Sequence, residues 1–115
     1  MKGKCLLKTR SDHFKEHWAT IVGNDLLCYR RKGDSQPRVM HCLLNTFVSE
    51  APEERNAKDG FIMYPVKIVL PAFKSRYLYF TTHEQQKSWL KQLQTVTGVT
   101  NVNDFYEITT QLGKG

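Results

Sequence analysis

The residues with chemistry to offer are the cations of the first third of the chain. Lys2, Lys4, Lys8, Arg10, Lys15, Arg30, Arg31, Lys32 and Arg38 crowd there, against Asp12, Glu16, Asp25 and Asp34. The whole chain carries a formal charge of +6 and a pI near 9.3, so one end of the fold should hold the positive potential. Ammonium and guanidinium groups at this density suit an anionic partner: phosphate head groups, nucleic acid or an acidic protein face. No interleaved aromatic and basic motif of the kind that reads RNA is present, so nucleic acid is not an expected partner. Phosphomonoesters carry nearly two charges each, and Lys or Arg pairs with them at short range.

Other chemistries find little support. Cys5, Cys28 and Cys42 form no C-x-x-C and no Cys/His cluster with zinc-like spacing, so no metal is expected. All three sit in apolar, strand-like stretches and read as buried free thiols in a reducing compartment. His41 and His83 fit surface or helix-start roles. No nucleophile, base and orienting group stand at a useful spacing, so no enzyme is expected in residues 1–97. No apolar run approaches the roughly 18 to 20 residues of a membrane span, and the start "MKGKCLLKTR" lacks a secretory signal.

The elements that must position these cations are short and extended. With 115 residues, of which 40% are hydrophobic and 24% charged, the chain suits one soluble domain with a real core. "KCLLK" reads as a first strand and "TRSDH" as a loop. "HWATIV", the turn "GND" and "LLCYR" read as a hairpin. "RKGDSQPR" is a loop, "VMHCLLN" and "TFVSE" are two further strands, and "APEERNAKDG" is a polar loop. "FIMYPVKIVL" is a strand in which Pro65 predicts an edge position or a bulge. "RYLYFT" is a last strand, with Tyr77, Tyr79 and Thr81 on one face and Leu78 and Phe80 on the other.

The period changes at Thr82. "THEQ" fits a capping box, in which Thr82 caps the helix and Gln85 reaches back to the cap amide. Trp89, Leu90, Leu93 and Val96 then recur at helical spacing, and Thr97–Gly98 supplies a stop. About seven strands followed by one amphipathic helix predict a mainly β fold: a partly open antiparallel barrel or sandwich capped by its C-terminal helix.

This order resembles the pleckstrin homology (PH) domain over residues 3 to about 97. "KGKCLLK", "FKEHWATIVGNDLLCYRR" and "QPRVMHCLLN" are similar to its first four strands. "RYLYFTTHEQQKSWLKQL" is the most specific piece, a last strand and a helix with a single tryptophan. The resemblance implies head-group binding at the open end of the barrel. Lys8 then matches the basic residue late in strand one, and Lys15 the first of a basic-x-Arg pair in strand two. His17 stands where that pair has its arginine, with Glu16 between. Arg30, Arg38 and Arg10, the last in a walling loop, complete the implied site. Histidine cannot give arginine's bidentate fork, so weak or broad binding of anionic phospholipids or phosphoinositides is expected.

The tail is read separately. "VNDFYEITTQLGKG" resembles the opening of a protein kinase catalytic domain, with Leu112, Gly113 and Gly115 in the first half of the glycine-rich loop over ATP. The wording is closest to calcium-dependent protein kinases, including apicomplexan-type protist members. The resemblance thus implies a non-catalytic module at 1–97, then a linker and truncated kinase start at 98–115. The parent would be a serine/threonine kinase using ATP and Mg, with Ca for a calcium-dependent parent. The fragment itself is expected to be monomeric, without a cofactor, cytoplasmic and peripheral at the membrane. The competing expectation is a protein-interaction or autoregulatory module acting on the adjacent kinase domain.

Overall fold

Alternation of apolar and polar side chains dictates the sheet. In the computed structural model, residues 2–9, 13–56, 58–71 and 74–97 are described. They form β1 (Lys2–Lys8), β2 (Phe14–Val22), β3 (Asp25–Tyr29), β4 (Val39–Cys42), β5 (Phe47–Glu50), β6 (Glu54–Arg55), β7 (Ile62–Val69), β8 (Ser75–Phe80) and α1 (His83–Thr97). The strand order is β4-β3-β2-β1-β8-β7-β5, with β6 added to β7. All pairings are antiparallel. The two ends of this path, β4 and β5, do not pair, so the barrel stays open.

About seven strands are expected from the sequence, and eight are present among the described residues. The extra one, Glu54–Arg55, lies inside the polar loop and pairs with Ile62 and Met63. Its pairing comes from the free edge of β7, not from an apolar pattern of its own. Pro65 sits where the neighbour of β7 changes from β5 to β6. Its carbonyl accepts from Ala51 N at 3.2 Å on that side. The missing proline N–H shares that side and leaves no ladder bond unmade. The strand is interior, but Pro65 occupies a local gap in its edge.

Gly23, at φ 60°, makes the tight β2–β3 turn. Beyond it, Ala19 faces Cys28 and Cys5 faces His17 across the ladders. Cys5, Ala19, Leu26 and Cys28 therefore line the inward face of the first sheet half. Val48, Val66, Ile68, Leu78 and Phe80 meet them from the second half, and Trp89 and Leu93 close the core. The hydrogen bond with the Cys28 thiol and burial together push the Cys5 thiol well up. Cys42, expected inside, is exposed. It pairs with Asp25 in the outward row, because Leu26 and His41 take the inward one.

The helix starts as its cap predicts: Gln85 N donates to Thr82 Oγ1 at 3.2 Å. The Gln85 side chain departs from expectation, accepting from the Thr81 hydroxyl at 3.2 Å. Trp89 stacks on Phe80, with ring centroids 5.8 Å apart. Its indole lies over Gly3, where an added Cβ would stand 3.2 Å from Cζ2. Gln86 is buried and donates to the Pro65 carbonyl at 2.8 Å, tying α1 to β7. The helix thus plugs the end where β1 begins and β8 finishes. The opposite end, with the β1–β2, β3–β4 and β7–β8 connections, remains open.

Candidate anion-binding cleft

Register decides which cations reach the open end. Cys28 pairs with Val39 and Leu26 with His41, so β4 turns Val39 and His41 inward. Val66 pairs with Leu78 and Ile68 with Arg76, so β8 turns Arg76 inward at its first turn of pleat. A cleft of about 760 Å³ opens between these strands. Leu7, Cys28, Ile68 and Leu78 supply apolar walls, and Lys8, Arg38, His41 and Arg76 line it with nitrogen.

Its electrostatics are positive. Burial and the charge of Arg76 hold the His41 imidazole below its ordinary value of 6.5. Among the described residues, no carboxylate forms an ion pair with Arg38 or Arg76. Arg76 is spread over its own strand by an Nη1 bond to the Ser75 carbonyl at 3.0 Å. Arg38 is fixed through its backbone, donating to Cys28 O at 2.7 Å. Two guanidinium groups therefore flank one half-buried cleft, with a neutral histidine between.

The residues singled out in the sequence do not all meet here. Lys8 pairs with Phe14, and Leu7 with Lys15, so Lys8 lies on the opposite face from Lys15 and His17. Lys8 is bonded to Glu54, and its ammonium lies 5.8 Å from the Phe14 ring centroid. The Lys8 hydrogen bond is the main reason the Glu54 carboxyl sits below the usual carboxylate range. Burial and Glu54 in turn raise the Tyr79 phenol. Tyr79 is buried although it lies on the outward face, edge-on to Phe14 at 4.8 Å.

His17 is buried, and its Nδ1 lies 3.0 Å from the Lys15 carbonyl, a donor bond to its own strand. It does not line the cleft. Lys15 borders a separate hollow with His13, Asn56, Lys58 and Asp59. Arg30 follows β3, exposed and outside the cleft lining. Arg38 is in place. Arg10, Leu112, Gly113 and Gly115 lie outside the described residues. Arg76 and His41 are the lining residues that sequence reasoning missed. The available signal was Arg76 opening a strand straight after a loop at the mouth. His83 begins α1 and packs on Tyr64 at 5.6 Å. Among the described residues, no group of three His, Cys, Asp or Glu could hold a metal, and no helix is long and apolar enough to cross a membrane.

Known proteins agree with this architecture. The PH domain family model matches residues 1–98. No curated protein sequence matches. Among solved structures, the C-terminal PH domain of pleckstrin superposes with a TM-score of 0.68 at 18% identity, over 84% of this chain and 93% of that one. The same domain in complex with D-myo-Ins(1,2,3,5,6)P5 gives 0.69 at 18% identity over the same shares. The solution structure of the human domain gives 0.68 at 16%, over 88% and 82%. At these identities the likeness is one of fold. A family match spanning nearly all the described residues, on an open antiparallel barrel plugged by a Trp89-bearing helix, places this chain in the PH domain family.

Proposed function

We propose that this chain is a non-catalytic module that holds its parent protein at membranes carrying phosphoinositides or other anionic lipids, through the Arg38–His41–Arg76 cleft. The observation that carries the reading is the cleft's uncompensated charge: Arg38 and Arg76 line it beside His41, and among the described residues no carboxylate pairs with either guanidinium. A phosphomonoester there meets two forked donors and offsets that charge. The pleckstrin domain in complex with inositol pentakisphosphates lends support, since it shares the fold. Lys8 is tied to Glu54, so binding should be modest in strength and broad in isomer preference.

The parent context extends the proposal. "DFYEI" ahead of "LGKG" resembles the opening of a serine/threonine kinase domain that uses ATP and Mg. Coding sequence downstream of residue 115 decides this part: a third loop glycine and a following strand lysine are expected, and unrelated sequence would remove the kinase.

Vesicle sedimentation tests the lipid part. Binding to vesicles containing phosphatidylinositol bisphosphate should fall with salt. It should be abolished by Arg38→Glu with Arg76→Glu in a protein whose circular dichroism is unchanged. Full binding by that double variant would sink the assignment.

A further inference from the structure

The outward face of the first sheet half carries a second basic groove, distinct from the cleft. Lys4 pairs with Trp18, and Trp18 with Tyr29, so these three stand in one row across β1, β2 and β3. Lys2 and Thr20 form the next row. The β3–β4 loop turns at Gly33, with φ 90°, and brings Arg31 and Lys32 back over this face. The Lys32 ammonium lies 5.3 Å from the Trp18 ring centroid, and that of Lys4 lies 5.8 Å from it. Lys2, Trp18, Thr20, Tyr29, Arg31 and Lys32 line a groove of about 690 Å³, and Lys4 stands beside it on the Trp18 ring.

Charge and shape limit what fits. Lys2, Lys4, Arg31 and Lys32 face two carboxylates, Glu16 and Asp34. Glu16 pairs with Lys4 at 3.1 Å, with both side chains half exposed or more, a bond that a ligand carboxylate can exchange for its own. Asp34 is committed to the loop, accepting from the Arg31 backbone N at 3.0 Å. Trp18 belongs to no part of the core and offers a ring face held between cations. The groove follows β2 from Trp18 to Val22, about 13 Å of strand, the span of a short extended peptide. Because Trp18 lines this hollow with ammonium groups close by, this face presents a trough, where a bilayer would call for a projecting wedge.

The geometry points to an acidic protein segment as the occupant: an extended stretch rich in Asp or Glu, with one aromatic or apolar side chain stacked on Trp18 and carboxylates at Lys4, Lys32 and Arg31. This partner would sit on the sheet face while the open end stays available to head groups. The groove is built from residues that the lipid cleft does not use.

Tryptophan fluorescence reads the groove directly. The chain has two tryptophans, and Trp89 is buried, so a change on ligand addition reports Trp18. A short polyglutamate peptide with one central phenylalanine should shift the emission, and its affinity should fall with salt. The same peptide with glutamines should give no shift. Lys4→Gln with Lys32→Gln should weaken binding about tenfold, from two lost charge pairs and their cation–π support. Trp18→Phe should remove the signal. Arg38→Glu with Arg76→Glu should leave peptide binding unchanged, which separates this groove from the cleft. The inference is overturned by no shift with the acidic peptide, by equal binding of the glutamine peptide or of the Lys4/Lys32 variant, or by a shift seen only with phosphatidylserine vesicles.

Discussion

Replacing Glu54 by glutamine keeps the shape of the side chain and removes one negative charge beside Lys8. The Lys8–Glu54 pair is 34% and 37% exposed at its side chains, so the fold should lose only about 0.2–1 kcal/mol. The Tyr79 hydroxyl keeps an acceptor in the glutamine carbonyl. Binding should move the other way. Lys8 lines the cleft, and removing the Glu54 charge beside it makes the local potential more favourable to an incoming phosphate. A unit charge about 8 Å away is worth about 0.5–2 kcal/mol at effective dielectrics between 80 and 20. After screening by physiological salt, head-group affinity should rise about 2- to 10-fold. Calorimetric titration with a soluble inositol polyphosphate measures this, beside a thermal melt of each protein. The stability of Glu54→Gln should also respond differently to acid. Lys8 lowers the folded-state pKa of Glu54. Its contribution is thus present above the unfolded carboxylate value and disappears as pH falls through the folded one. That acid loss should be smaller in the variant. Unchanged or weaker binding by a folded Glu54→Gln protein would refute the view that the Glu54 charge opposes an anion at the cleft.

Trp89→Ala should cost about 3–5 kcal/mol, enough to unfold a domain of this size, and parent-like urea denaturation would contradict the plug. Gly3→Ala should cost about 1–3 kcal/mol, since its Cβ would meet the indole at 3.2 Å. In a Trp89→Phe background the same change should cost less, and an equal loss there would place the strain elsewhere. His41 is neutral at its position because of burial and Arg76. A bound phosphate offsets Arg76, so head-group affinity should rise as pH falls below 6.5, the histidine's ordinary value. His41→Gln should flatten that rise, and a steep rise persisting in the variant would assign it to another group.

The sequence made the strands and the helix legible because their burial is periodic: Ala19 and Ile21 against Trp18 and Thr20, then Trp89 and Leu93 one turn apart. Glu54–Arg55 escaped notice because its two polar residues carry no period, and only the edge of β7 makes them a strand. The site was harder. Residue types pointed to the basic end, and Arg38 stands there, but the cleft's other guanidinium is on β8. Arg76 meets Arg38 and His41 only after the sheet has folded over at the β1–β8 pairing, a long-range event with no local signature. The face of Lys8 depended on the exact β1–β2 register, since a shift of one residue exchanges Lys8 with Leu7. Alternation puts Tyr79 on the face opposite Leu78 and Phe80, and it is buried there all the same, beside Phe14 and Glu54.

The thiol pair under the first sheet half gives the molecule an internal timer. Cys5 and Cys28 belong to β1 and β3, with β2 between and their β2 partners, His17 and Ala19, two residues apart, so their backbones are separated by more than two strand spacings, roughly 9.5 Å. A disulfide reaches at most about 7 Å between Cα atoms, and oxidants cannot crosslink the two while the sheet is intact. Cys42 alone of the three is exposed. A thiol-reactive dye should therefore label native protein once and promptly. The second and third labels must wait for β1 and β3 to part, and their rate clocks how often the barrel comes open.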